Sequence, residues 1–409
     1  MLEAISNGDR GVRTTYTVKA FAISDRLAPS DVATFTYVID RRDKDVYLPT
    51  EVSPGIHMIR DFDDTKMYLV IGSARALLVD AGLGSGNLRR LVEGMIGDRP
   101  LDVVITHGHP DHIAAMGQFQ DRYNVFMNHR DLPMVQGFVE RLGYRIDLEQ
   151  IDDLREGVGF DLGDRTLKVY EVPGHSAGHT VLFDEANGIL LASDAVGSNR
   201  PTITDSLWMQ FPGMAPIDDY LSSLQVFRSK VAGKIQQIYG GHNDVPFSGE
   251  TYLDNLQRAA QLLVDQGEDV LVPSLRPTDA WQVVVGDRLS DPNWAAINVA
   301  KGRCLSAPPE KIATLSNLEL QGARLEPGFM PRQDTYTAVA NTDVSAFAIT
   351  PIATSGRHQS LTINGAAHRS GATHWVQLSD GEPHITIAVT SPDGTVSHTY
   401  TLAVRRTAV

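Results

Sequence analysis

Residues 101–112 read Leu-Asp-Val-Val-Ile-Thr and then His107-Gly108-His109-Pro110-Asp111-His112. The apolar half has the length and β-branched content of a buried strand. It runs directly into a loop that offers four candidate metal ligands. His107 and His109 alternate along an extended segment, so both rings can converge on one ion. Asp111 and His112 open the next helix and point at a neighbouring ion. A structural zinc site would be built mostly from cysteine and would leave no open position. The sole cysteine here is Cys304, which excludes an intrachain disulfide and a Cys-rich metal site and reads as an inert thiol.

Three later segments offer ligands in the same style. Val172-Pro173-Gly174-His175-Ser176-Ala177-Gly178-His179 is a tight turn after the strand pattern TLKVYEV, and it places His175 where a third ligand for the first ion is needed. Asp194 ends GILLASD and offers a carboxylate able to bridge two ions; His242 ends KIQQIYG and supplies a last imidazole. All lie at strand ends, the edge at which α/β proteins commonly gather functional groups.

Outward from these motifs, three regions differ in pattern. Residues 46–310 alternate strands (EVSPGIHMIR, MYLVIG, ALLVDAG) with helical stretches at Asn87 to Ile96, from Asp111, and from Gly249 to Gln266. Two packed sheets with helices on both outer faces, an αββα sandwich, would satisfy that α/β order. Residues 1–45 contain two alternating strands within 14–40, with Tyr16, Val18, Phe35 and Tyr37 at apolar positions and a turn around Leu27 to Ser30. Residues 315–409 are all-β: AFAITP, SLTING, HWVQL, HITIAV and HTYTLAVR alternate and are separated by turn-forming stretches, as in a β-sandwich. Its five histidines, His358, His368, His374, His384 and His398, have unrelated spacings and read as surface or turn residues.

The chain has 36 basic and 50 acidic residues, a formal net charge of −14. Residues 1–49 balance at seven each and residues 315–409 carry six basic against seven acidic, so the excess sits in the middle, beside the ligand motifs. An acidic catalytic region repels polyanions, which argues against nucleic acid as substrate. No apolar run approaches the roughly 20 residues that span a bilayer. The opening MLEAISNGDRG lacks the basic and apolar regions of a signal peptide.

These motifs, in this order, resemble the metallo-β-lactamase superfamily over roughly residues 50–270. The resemblance implies His107, His109 and His175 on one zinc, Asp111, His112 and His242 on a second, Asp194 bridging, and Asp80 of LLVDAG holding the histidine loop. Manganese or iron could replace the two zinc ions. The implied chemistry is hydrolysis by a metal-bridging hydroxide, since two cations roughly 3.5–4 Å apart lower the pKa of a shared water towards about 7; Asp111 is placed to relay a proton while ligating. Aspartate at 194, where several true β-lactamases have cysteine or serine, makes the set more similar to glyoxalase II, lactonases and phosphodiesterases. The substrate expected is a small molecule with a phosphoester, carboxyl ester, lactone or thioester bond. The alternatives are a β-lactamase, a mononuclear-iron persulfide dioxygenase, and a non-catalytic surface scaffold.

Gly197 to Pro216 reads as an irregular substrate-binding segment in which Trp208, Met209, Phe211, Met214 and Asn199 are candidate pocket residues. His179, Arg200 and Asn243 are further polar candidates, whereas His57 and His129 read as non-catalytic. The C-terminal region resembles the cadherin-like β-sandwich module of bacterial surface proteins. Residues 14–40 resemble the last strands of a chitobiase-type Ig-like module, which points to an extracellular or cell-surface parent protein. An unpaired hairpin needs a partner surface, so it is expected to dock on the C-terminal sandwich, on the middle region or on a second copy of the chain, the last giving a homodimer through the hairpin or the β-sandwich.

Overall fold

The computed structural model describes residues 13–20, 33–40, 47–61, 65–84, 86–198, 206–274, 280–288, 290–378 and 384–407. The chain divides into two compact units: residues 1–154 with 160–165, and residues 155–159 with 166–409.

In the first unit, β1 (Arg13–Ala20) and β2 (Ala33–Asp40) pair antiparallel, with Arg13 opposite Asp40. That is the hairpin expected at 14–40; its turn and the surroundings of Tyr16, Val18, Phe35 and Tyr37 lie outside the described residues. A seven-stranded sheet follows in sequence order: β3 (Leu48–Ser53), β4 (Ile56–Arg60), β5 (Lys66–Ile71), β6 (Ala76–Val79), β7 (Leu101–Ile105), β8 (Asn124–Met127) and β9 (Asp152–Asp153). It is antiparallel from β3 to β6 and parallel from β6 to β9. Both β6 and β7 are buried at every position, which accounts for their unbroken apolar runs. Helix α1 (Leu88–Ile96) starts where the Asn87 side chain accepts from Arg90 N, and its Leu88, Val92 and Ile96 stripe joins the sheet's core. Helix α3 (Leu132–Leu142) ends on Gly143 at φ +71°, a left-handed position suited to glycine.

The helix expected from Asp111 is present and is one short turn. Helix α2 spans Pro110–Ile113. Pro110 is suited to a first helical position, but the following turn is tied to the end of β6: Ala81 N donates to His112 O, Ala114 N to Gly82 O and Ala115 N to Ala81 O. These bonds to another segment take the groups a longer helix would have used.

In the second unit, after β10 (Gly159–Asp161) where the chain passes between units, β11 (Thr166–Glu171), β12 (Thr180–Asp184), β13 (Ile189–Ser193), β15 (Gln237–Gly240) and β16 (Phe247–Ser248) lie side by side in that order. β13 and β15 run parallel, with a register shift between Leu191 and Ser193. Helices α4 (Ile217–Val231) and α5 (Gly249–Gln266) pack their apolar sides into one core with these strands and with a small sheet ordered β14 (Leu207–Trp208), β19 (Ala295–Val299), β18 (Trp281–Val285), β17 (Val272–Pro273).

The same unit contains the C-terminal β-sandwich. One sheet is ordered β20 (Leu315–Gln321), β23 (Ala346–Ala353), β26 (His374–Gln377). The other is ordered β21 (Ala323–Glu326), β22 (Thr335–Asn341), β28 (Ser397–Thr407), β27 (His384–Thr390), β24 (Ser360–Ile363), β25 (Ala366–His368). Inward-facing Phe347, Ile349, Ile387, Tyr400 and Leu402 form its core. Among the described residues no helix is long and apolar enough to cross a membrane.

Candidate metal centre

Parallel pairing sets the cluster of candidate ligands in the first unit. β6 and β7 run side by side, so the residues just past their ends, Asp80 and Thr106, meet. Asp80 sits at φ +65°, a left-handed conformation that aspartate tolerates better than most residues. Its buried carboxylate accepts from Thr106 N at 2.8 Å and from Thr106 Oγ1 at 2.9 Å, and His112 Nδ1 donates to it at 3.0 Å. With its proton given to Asp80, the Thr106 hydroxyl can act only as acceptor towards His107 Nδ1, 3.1 Å away. His107 and His112 are therefore both held with the proton on Nδ1 and the lone pair on Nε2. His107 Nε2 lies 3.1 Å from His109 Nδ1, and His112 Nε2 lies 3.4 Å from Asp111 Oδ2. The loop is closed from behind by Gly108 N donating to buried Asp131 at 2.9 Å, and a Cβ on Gly108 would meet Val135 at 3.1 Å.

In the second unit the same logic recurs. His175 follows the β11 end and donates Nδ1 to the Trp208 carbonyl at 2.8 Å, which leaves the lone pair on Nε2. Because β13 and β15 are parallel, Asp194 and His242 emerge at the same edge. Asp194 Oδ2 lies 3.3 Å from His242 Nε2 and 3.6 Å from His175 Nε2, so two imidazoles aim at one carboxylate. The preceding Ser193 has φ +47°, a region costly for a residue with a side chain. A backbone strained at this point re-aims the chain out of the strand and presents Asp194.

The donor chemistry in each unit suits a divalent cation. Imidazoles whose second nitrogen is engaged by a carbonyl, a hydroxyl or a carboxylate are the usual form of metal-binding histidine. The ligating atoms are nitrogen and oxygen, which fits zinc, manganese or iron.

The other sequence candidates are spread out. Met209 is buried in the core, Trp208 and Met214 are half-buried, and Phe211 is exposed, with its ring 5.8 Å from that of Trp208. Asn199 and Arg200 lie outside the described residues. His179 is buried with its ring 5.8 Å from that of His175, and Asn243 accepts from Ser198 Oγ. His129 bonds the Ile151 carbonyl, a structural contact, and His57 lies within β4. Thr106, Asp131 and the Trp208 carbonyl carried no signal in the sequence, because their roles depend on which segments pair.

Residues 60–265 match the model of the metallo-beta-lactamase superfamily, and the chain belongs to that family. Residues 315–407 match the cadherin-like beta sandwich domain. Over 205 residues the chain is 29% identical to acyl-coenzyme A thioesterase MBLAC2 of Gallus gallus, covering 43% of this chain and 72% of that protein. Over 138 residues it is 29% identical to a hydroxyacylglutathione hydrolase of Cupriavidus metallidurans, covering 32% of this chain and 48% of that protein. A solved metallo-beta-lactamase from Pontibacter korlensis aligns at 16% identity and a TM-score of 0.42, over 53% of this chain and 99% of that one. The chain is thus a superfamily hydrolase with an α/β catalytic region and a C-terminal cadherin-like sandwich.

Proposed function

We propose that this hydrolase is dinuclear and cleaves an ester-type bond in a small molecule, with thioesters as the first class to test. In this reading His107, His109 and His175 hold one ion, Asp111, His112 and His242 hold the other, and Asp194 bridges them. The observation that carries it is the anchoring of three rings: Nδ1 of His107, His112 and His175 each lies within hydrogen-bond distance of an oxygen, which leaves Nε2 to face a metal. When bound, the metal pair supplies Lewis acidity and an acidified water at neutral pH. The chain's own residues do the positioning. Asp80 and Thr106 fix two imidazoles, Trp208 fixes a third, and Asp111, whose Oδ2 accepts from Thr65 Oγ1 at 3.4 Å, is placed to pass a proton.

Thioesters come first because two of the relatives are named for thioester hydrolysis, an acyl-coenzyme A thioesterase and a hydroxyacylglutathione hydrolase. Metal analysis of the purified chain should find about two zinc ions per molecule. A parallel screen of acyl-coenzyme A and glutathione thioesters, lactones, phosphodiesters and a cephalosporin should show thioesters turned over best. His107→Ala and His242→Ala should each lose metal and activity while staying folded. A chain that takes up no metal, or full activity in either variant, overturns the dinuclear reading. Self-association through β1 and β2 belongs to the same proposal, and light scattering of the full chain beside one starting at Val46 tests it.

A further inference from the structure

The ligands His175 and Asp194 are held by the first turn of α4, and that turn is in turn gripped by the β-sandwich. Ala215 N, just before α4, donates to Gly174 O at 2.9 Å, next to His175. Tyr220 is fully buried; its hydroxyl donates to Ala195 O at 2.9 Å, next to Asp194. Its ring lies so close to Gly174 that a Cβ there would come within 2.4 Å of Tyr220 Cδ2. One side chain thus touches both ligand loops. Two residues earlier in the same turn, Asp218 is 2% exposed and accepts from Ser306 N at 2.9 Å and from Ser306 Oγ. From the sandwich, Arg332 reaches Asp218 Oδ2 at 3.2 Å and Asp219 Oδ1 at 3.1 Å, with Nε 3.4 Å from Asp219 Oδ2.

We infer that Arg332 is a positioning residue for the metal ligands His175 and Asp194, acting through Asp218, Asp219 and Tyr220 of α4. The inference rests on the metal-binding reading above. Two adjacent carboxylates at a helix start are favoured by the helix dipole but repel each other, and one of them is buried. The guanidinium spans both and offsets that repulsion. Without it, the buried Asp218 charge loses a partner and draws the turn towards water. Tyr220 is carried with the turn, and metal sites tolerate only about 0.5 Å of ligand displacement.

The test uses the full chain and the variants Arg332→Ala, Arg332→Lys, Tyr220→Phe and the double variant Arg332→Ala/Tyr220→Phe. Zinc affinity is read by competition with a chromophoric chelator, and ligand geometry by the absorption bands of the cobalt-substituted protein. Arg332→Ala should weaken zinc binding by roughly 2- to 30-fold and alter the cobalt bands, the range expected of coupling through packed side chains. Arg332→Lys should recover part of the loss. Because both changes act along one path, the double variant should lose less than the product of the single effects. Should Arg332→Ala fail to fold, Asp219→Asn removes one arm of the grip and carries the same comparison. Wild-type affinity and cobalt bands in a folded Arg332→Ala, or independent effects in the double variant, overturn the role of Arg332. A wild-type chain that binds no zinc overturns the site reading itself.

Discussion

At the scale of single residues, Asp80 connects backbone conformation to the proposed metal site. Its left-handed backbone turns the carboxylate back towards the β7 end, where it accepts three hydrogen bonds from Thr106 and His112. Asparagine tolerates the same φ, but with a single acceptor oxygen, an NH2 group in place of the other and no charge it cannot accept all three. Asp80→Asn should therefore fold and lose zinc affinity by about 10- to 100-fold, measured by chelator competition; an unchanged affinity would show that the histidine loop holds itself. Cys304 is the opposite case, a side chain whose surroundings silence it. Burial and the neighbouring Glu268 carboxylate push its thiol up to about 12. The thiolate is the reactive form, so a thiol reagent at pH 8 should modify the native chain far more slowly than the urea-unfolded chain. Equal rates would contradict the burial.

At the scale of elements, α1 shows how local chemistry and packing share the work. Asn87 caps its first turn by accepting from Arg90 N, and Leu88, Val92 and Ile96 anchor one stripe in the core. Asn87→Ala leaves that stripe intact and removes the cap, so it should cost about 1 kcal/mol in denaturant unfolding with no change in slope. A loss several times larger would mean that Asn87 also holds the neighbouring loop. The ligand loop itself was legible as an element, because an apolar strand followed by His107 through His112 has few other uses. Its helical part, α2, is a single short turn. The sequence cannot show that Ala81 and Gly82 claim the backbone groups of residues 112–115.

At the scale of the molecule, the sandwich contains none of the proposed metal ligands and is nonetheless bonded to α4 and α5: Ser222 Oγ donates to Ser316 O at 2.6 Å, and Asp265 accepts from Gly356 N at 2.9 Å. A further tie joins Lys311, in the connecting segment, to Asp393 at 2.7 Å. Lys311 first, then bonds from Thr395 N and Ser391, hold the Asp393 carboxyl well below the ordinary aspartate value of 3.8. A folded value lower than the unfolded one stabilises the chain above pH 3.8, and the contribution fades as pH falls towards the lower folded value. Thermal unfolding of Asp393→Asn should accordingly lie below wild type at pH 6, with the gap closing on acidification below about pH 4. A gap that stays constant with pH would assign the effect to lost packing instead of charge.

The sequence by itself determined the class of fold, the order of the regions and the identity of the candidate ligands. Each is a local matter: the period of apolar residues reports which face is buried, and a polar residue just past a buried strand has nowhere to go but the sheet's edge. That is why His107, His175, Asp194 and His242 read as strand-end residues, whereas Asp80 is singled out by the family resemblance. Only the tertiary structure decided what holds them. The Trp208 carbonyl lies 33 residues from His175, and Arg332 lies 114 residues from Asp218. Phe211 turns out exposed and Met209 buried although both read as apolar pocket candidates. Such pairings follow from strand register and helix placement, which are fixed by the packing of the whole core, and no run of neighbouring residues encodes them.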